Sequence, residues 1–282
     1  MYYHSLRAGL DGQGNIVAWQ HRIVGQSILT GTAFEGAMVK NGVDATSVEG
    51  ASTLPYAIPN IAVELHSPKM GVPVQWWRSV GSTHTAYATE TFLDELAVAG
   101  GRDRYELRRA LLHKHPRHKG VLELAARRAG WTKPLAQTKG ARRGRGIAVH
   151  ESFNTFVAQV AEVTVAEDGS LKVDRVVCAV DCGIAVNPEV IRAQMESGIA
   201  YGLTAALHGA ITLKDGVVQQ SNFHDYPALR MNEMPPVEVY IVPSGEPPSG
   251  VGEPATPVIA PAVASAVFAA TGKRVRSLPI RI

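Results

Sequence analysis

Two cysteines, Cys178 and Cys182, are all the thiols in this chain of 282 residues. A disulfide framework and a four-thiolate metal site both need more sulfur, so neither can be assembled here, and buried or neutral thiols are expected. A surplus of charge is also missing: 28 Lys and Arg against 25 Asp and Glu leave +3. That bias is too small to argue for a nucleic-acid partner. The local basic clusters, Arg102, Arg104, Arg108 and Arg109 and then Arg142, Arg143 and Arg145, read as solvated faces. No apolar run approaches the roughly 18 residues that cross a bilayer, so no membrane span is expected. The opening MYYHSLRAGLDGQGN has neither the basic nor the hydrophobic region of a signal peptide, which leaves the compartment, cytoplasmic or periplasmic, open. Internal repeats are absent. With 45% apolar and 19% charged residues, the composition is that of a folded globular protein with room for a large core or two lobes.

What is present is a series of strands and helices with clear punctuation. The DGQGN turn between two β-rich runs, the second starting at Ile16, reads as a hairpin, and AEDGS at 166–170 as another. Tyr87, Phe92, Leu93, Leu96 and Ala97 fall at helical spacing over 84–99, with Ser82 or Thr83 as a cap and Gly100-Gly101 as the stop. Shorter helices fit 103–115 and 119–129. The basic, Pro/Gly-broken segment 132–145 reads as a linker between a first lobe, 1–131, and a second, 146–282. Beyond it, Asn187 and Pro188 open a helix to about His208. Its small residues, among them Gly198 and Gly202, admit another backbone or a flat cofactor. A strand at 237–242 precedes the last helix. Without a strict βαβ rhythm, the fold class is α+β, mixed sheets with packed helices.

Chemistry concentrates in a few places. Near the C-terminus, GVGEP holds Glu253 in a loop where Gly250 and Gly252 allow close backbone approach and Pro254 and Pro257 stiffen the exit into an alanine-rich helix. Spacing alone equally describes a turn with a solvated Glu. Gln194, in PEVIRAQMESG, offers an uncharged donor and acceptor, or lies on a helix surface. Arg78, in WWRSVG, offers a planar fork to a ligand, or stacks on Trp76 or Trp77. HKHPRH lacks companion ligands at metal spacing, so no metal site is expected there. His150-Glu151-Ser152 lacks a nucleophile elbow, and DGQGN lacks the helix that a dinucleotide fold requires.

Three further blocks, VQWWRSVGSTHTAYATETFLDELA (74–97), GRGIAVHESFNTFVAQVAEVTV (144–165) and VDCGIAVNPEVIRAQMESGIAYGLTAAL (180–207), stand in order ahead of GVGEPATPVIAP. Together the four resemble the molybdenum hydroxylases, the xanthine dehydrogenase and aldehyde oxidase superfamily, and within it the isoquinoline 1-oxidoreductase beta-subunit type. The resemblance implies a molybdopterin-binding region in which the pterin's two sulfurs hold molybdenum with no protein ligand to the metal, the cofactor being the cytosine dinucleotide form. It implies that Glu253 is the catalytic base, that Gln194, Gly252 and Gly81 adjoin the cofactor, and that Arg78 orients the substrate. Relatives carry an aromatic where Val80 stands, so stacking of a flat ring at that position is not carried over. The implied reaction hydroxylates an N-heteroaromatic or aldehyde carbon with water as the oxygen source. Electrons would leave through iron-sulfur clusters on a small [2Fe-2S] partner subunit, since two cysteines cannot hold such clusters here. The resembled subunit is far longer, and its N-terminal half carries the Gly-rich loops for the pterin. The chain therefore reads as a C-terminal portion, inactive without that half and the small subunit. The other reading is a non-catalytic fragment that completes or scaffolds an oxidoreductase complex.

Overall fold

A computed structural model describes residues 1–282, and the chain divides into two compact units, Met1–Lys114 and His115–Ile282. The expected class, α+β, is what each unit shows. The division falls ahead of the segment read as a linker: 141–145 already belong to a strand, and the helix before it joins the second unit.

In the first unit, β1 (Tyr2–Leu10) and β2 (Ile16–Gly25) form the expected hairpin, whose turn is fixed by Asp11 accepting from the N–H groups of Gln13 and Asn15. After α1 (Glu35–Met38) and the short antiparallel pair β3 (Val39–Lys40) and β4 (Val43–Asp44), β5 (Ile61–His66) joins β2 in parallel. The long helix α2 (Ser82–Ala99) follows, then α3 (Arg104–Leu111) with Asp103 as its N-cap. Neither Ser82 nor Thr83 caps α2 through its side chain. The Glu49 carboxylate does so from outside the helix, accepting from Ser82 N–H at 3.0 Å, and a carboxylate there also suits the helix dipole. Arg108 corrects the reading of its cluster as a solvated face, because its side chain is fully buried. It bonds Glu90 at 2.9 Å and Asp94 at 2.6 Å, while Tyr56 donates to Glu90 at 2.5 Å. Buried charge survives only when paired in this way.

The second unit opens with α4 (Pro116–Ala129), then an antiparallel meander of β6 (Ala141–Ser152), β7 (Thr155–Ala166) and β8 (Leu171–Asp181). Next come α5 (Pro188–Leu207), with Asn187 capping Val190 N–H as expected, and the small hairpin of β9 (Leu213–Lys214) and β10 (Val217–Val218). The strand β11 (Val237–Ile241) pairs in parallel with β8, and α6 (Thr256–Thr271) ends the unit. The sheet order is β11-β8-β7-β6.

Strand alternation assigns the faces. Phe156 of β7 packs under His118 and Arg117 of α4, whereas Gln159, on the opposite face, bonds the start of α6. Helices thus cover the sheet on both sides, which is why β7 is buried nearly throughout. Gly144 and Gly146 let α6 lie directly on β6: a Cβ at Gly146 would stand 2.2 Å from Ala262 O and 2.3 Å from Ala266 N. The helix itself is apolar all round and buried from Thr256 to Val267, as befits an element with sheet on one side and α5 on another.

Candidate active site

The Glu253 loop is built from its two ends inward. At the near end, Ser249 N–H donates to Cys182 O at 2.9 Å, and Thr155 Oγ1 donates to Gly250 O at 2.7 Å while sharing a hydrogen bond with Ser249 Oγ. At the far end, Gln159 Nε2 donates to Ala255 O at 2.8 Å and Thr256 N–H to Glu253 O at 2.9 Å. Strand β7 therefore holds the loop on both sides of Glu253, with Cys182 just past β8 helping at the near end; Glu253 is half-buried beside an exposed Gly252.

The helix α5 brings the second predicted residue to the same place. Gly198 and Gly202 face α6 with no room for a side chain: a Cβ at Gly198 would lie 2.9 Å from Ala255 Cβ, and one at Gly202 2.7 Å from Thr256 O. The small residues thus admit the backbone of α6, one of the two partners expected for them. One turn earlier on α5, Gln194 reaches the loop, its Oε1 4.0 Å from where a Cβ on Gly252 would stand. Gln194 thus stands beside the loop at Gly252, the residue before Glu253.

Arg78 and Gly81 lie in the first unit, in the turn that starts α2. Ser79 and Val80 adopt left-handed backbone angles, φ 74° and 48°, and Val80 N–H closes the turn on Trp77 O at 2.8 Å. A β-branched residue in that region is strained and is held there by its surroundings. A Cβ at Gly81 would stand 1.7 Å from Thr46 O, so only glycine lets the turn approach that chain. Arg78 is half-buried on this fixed backbone, next to the exposed Trp76 and Trp77.

An ion pair lies near the start of the loop, at the end of β8. Arg117 grips Asp181 through both carboxylate oxygens, at 2.7 and 2.8 Å. Burial pushes the Asp181 carboxyl upward, but the Arg117 hydrogen bonds and the Gly183 N–H hold it below the ordinary range. Desolvation drives the buried Cys178 thiol up to about 12 and raises Cys182 as well, so both remain neutral thiols as expected. His150 and Ser152 are buried, and His150 Nε2 and Ser152 Oγ have no hydrogen-bond partner, each other included. They do not form a nucleophile and base.

Two residues that position the loop were not singled out from sequence, Thr155 and Gln159. Gln159 carried a signal, since it is the polar residue inside the apolar run of VAQVAEV. Its Oε1 and Thr256 Oγ1 are buried without hydrogen-bond partners at the root of the loop.

Residues 102–235 match the molybdopterin cofactor-binding domain family. Over 227 residues, 80% of the chain, it is 35% identical to the beta subunit of isoquinoline 1-oxidoreductase from Brevundimonas diminuta. Over 96% of the chain it is 32% identical to the B subunit of nicotinate dehydrogenase from Pseudomonas putida. The chain spans 29% and 24% of the length of these two relatives. Among solved structures, quinoline 2-oxidoreductase from Pseudomonas putida 86 matches 99% of the chain with a TM-score of 0.83 at 14% identity, the match covering 60% of that protein. Aldehyde oxidoreductase from Desulfovibrio desulfuricans matches with a TM-score of 0.79 at 15% identity, over 99% of this chain and 48% of that one. At such identities the structural likeness speaks for the fold.

Proposed function

This chain belongs to the molybdenum hydroxylase family, and on that premise we propose that it is the C-terminal portion of a large subunit that oxidises an N-heteroaromatic or aldehyde carbon, with Glu253 as the base. The observation that carries the proposal is the placement of the Gln194 amide against Gly252, one residue from the carboxylate. An amide, a bare glycine backbone and a single acid are a donor set that fits a cofactor whose metal is held by its own pterin. Gln194 and Gly252 would hold the molybdopterin, in its cytosine dinucleotide form. When bound, that group supplies the two-electron redox chemistry and the place at which water becomes the oxygen donor.

The remaining work falls to side chains of this chain. Glu253, fixed by bonds on both flanks of its loop, takes the proton that the attacking oxygen must lose. Gln194 donates its amide N–H without adding charge to a region that becomes more negative as electrons arrive. Arg78, with Gly81 shaping its turn, orients the substrate through its planar fork. The units Met1–Lys114 and His115–Ile282 act as two cofactor-binding lobes. A small [2Fe-2S] subunit takes the electrons onward, and the N-terminal half of the large subunit completes the enzyme. No helix of the chain is long and apolar enough to cross a membrane.

The second reading is a non-catalytic fragment that completes or scaffolds an oxidoreductase complex. Co-expression with the N-terminal half and the small subunit separates the two. The assembled complex is expected to contain molybdenum and turn over, and Glu253→Gln to keep the metal while losing at least about 10² to 10⁴ in rate. Molybdenum content at wild-type level with undiminished turnover in Glu253→Gln would refute the assignment of the base. A complex without molybdenum would favour the scaffold.

A further inference from the structure

The four-stranded sheet of the second unit ends on β11, which is paired only on the β8 side. Val242 N–H donates to Val180 O at 2.8 Å, and Pro236 O accepts from Val176 N–H at 3.0 Å. Even-numbered positions thus turn their peptide groups towards β8. In a parallel ladder alternate residues face opposite neighbours, so Val239 and Ile241 point their N–H and C=O groups away from the sheet. No hydrogen bond from the chain reaches those groups.

Along this edge runs a groove of about 480 Å³, walled by Leu124, Arg127 and Arg128 of α4 and by Arg192 of α5. Arg128 lies over the Tyr240 ring, 4.5 Å from its centroid. Arg192 meets the exposed Glu189, and Arg127 stands in the groove wall with no ion pair. Three cations thus flank a strip of unsatisfied backbone; of the carboxylates beside them, Glu189 meets Arg192 and Glu238 is engaged by Arg175 and the Tyr240 hydroxyl.

We propose that this groove binds an extended acidic peptide segment, which adds as a fifth strand against β11. Main-chain bonds to Val239 and Ile241 give such an addition its affinity, and the arginines select its acidic side chains. The same charge argues against a second copy of this chain as the occupant, since two β11 edges meeting would oppose arginine to arginine. The proposal does not rest on the role of Glu253 and fails or stands separately from it.

The test is fluorescence polarisation with the full chain and a labelled heptapeptide of alternating glutamate and valine. Binding is expected, weakened by high salt, and lowered on the order of ten-fold in Arg127→Glu/Arg128→Glu. It should be lost with a peptide N-methylated at alternate residues, and in Val239→Pro, a substitution that removes only an outward N–H and so spares the ladder. Equal binding of an alternating lysine and valine peptide would overturn the acidic selectivity. Undiminished binding of the N-methylated peptide would reduce the site to one for anions and overturn strand addition. Concentration-dependent dimers abolished by Val239→Pro, with no peptide binding, would assign the edge to a second copy instead.

Discussion

Acidification from pH 7 to 5 should destabilise the first unit by several kcal/mol, because three of its histidines are folded around each other as neutral rings. His4 Nδ1 meets His21 Nε2 at 2.8 Å and His4 Nε2 meets His84 Nδ1 at 3.2 Å, while Tyr2 stacks on His84 at 3.6 Å. His21 Nδ1 and His84 Nε2 are buried without a partner. Burial, helped by the neighbouring His21, holds His4 down at about 3; burial alone holds His21 at about 4; and burial with both other rings takes His84 well below the ordinary value.

Each folded value lies under the unfolded value of about 6.5, so between them the unfolded chain binds a proton that the folded chain refuses. Stability is therefore complete above about pH 6.5 and falls as the pH drops towards 4. At pH 5 the gap is about 1.5 pH units, or about 2 kcal/mol for each ring, so His4 and His21 alone remove about 4 kcal/mol. Against a typical total of about 5–15 kcal/mol, that is a large share. Carboxylates held low, such as Asp11, Glu64 and Asp181, lose their contribution only below about pH 5, outside this window. The assay is urea unfolding across pH 5–7, followed through the buried Trp19, together with NMR titration of the imidazole protons. Stability that does not change over this range, or ring titrations centred near 6.5 in the folded protein, would refute the reasoning.

Two further substitutions probe the packing. Gly146→Ala places a methyl group within 2.3 Å of the α6 backbone and should cost about 1–3 kcal/mol in the urea midpoint, as overpacking does; a change under about 0.5 kcal/mol would mean that α6 shifts freely on β6. Arg108→Met removes the buried counter-charge of Glu90 and leaves Asp94 with Arg104 at 3.4 Å. A loss of about 3–5 kcal/mol in thermal or urea unfolding is expected, and a neutral outcome would show that water enters the cluster and solvates the acids.

What could be read in the residues beforehand was local. The Asp-Gly turns, the Asn187-Pro188 cap and the Gly100-Gly101 stop act over a few positions, and each stands where its chemistry placed it. Pairings across long stretches were hidden. Arg108 looked like one arginine in a basic run because its acids lie 18 and 14 residues earlier, on another helix. The first residues of β6 looked like linker because Arg143 and Arg145 announce charge, yet Glu162 on β7 and Asp174 on β8 meet them. The cap on α2 came from Glu49, which no window around Ser82 contains.

The candidate site divides along the same line. That GVGEP forms a stiff loop followed from its glycines and prolines, but that Gln194 lies against it depends on two helices meeting at Gly198 and Gly202. Gln159 lies between these cases. A polar side chain in the inward register of an apolar strand must find a hydrogen bond, so its presence signals a buried acceptor even when sequence cannot name it. Here the acceptor is Ala255 O, at the junction of the Glu253 loop and α6. The residue that looked out of place in its strand is thus the one that ties the sheet to the loop carrying the proposed base.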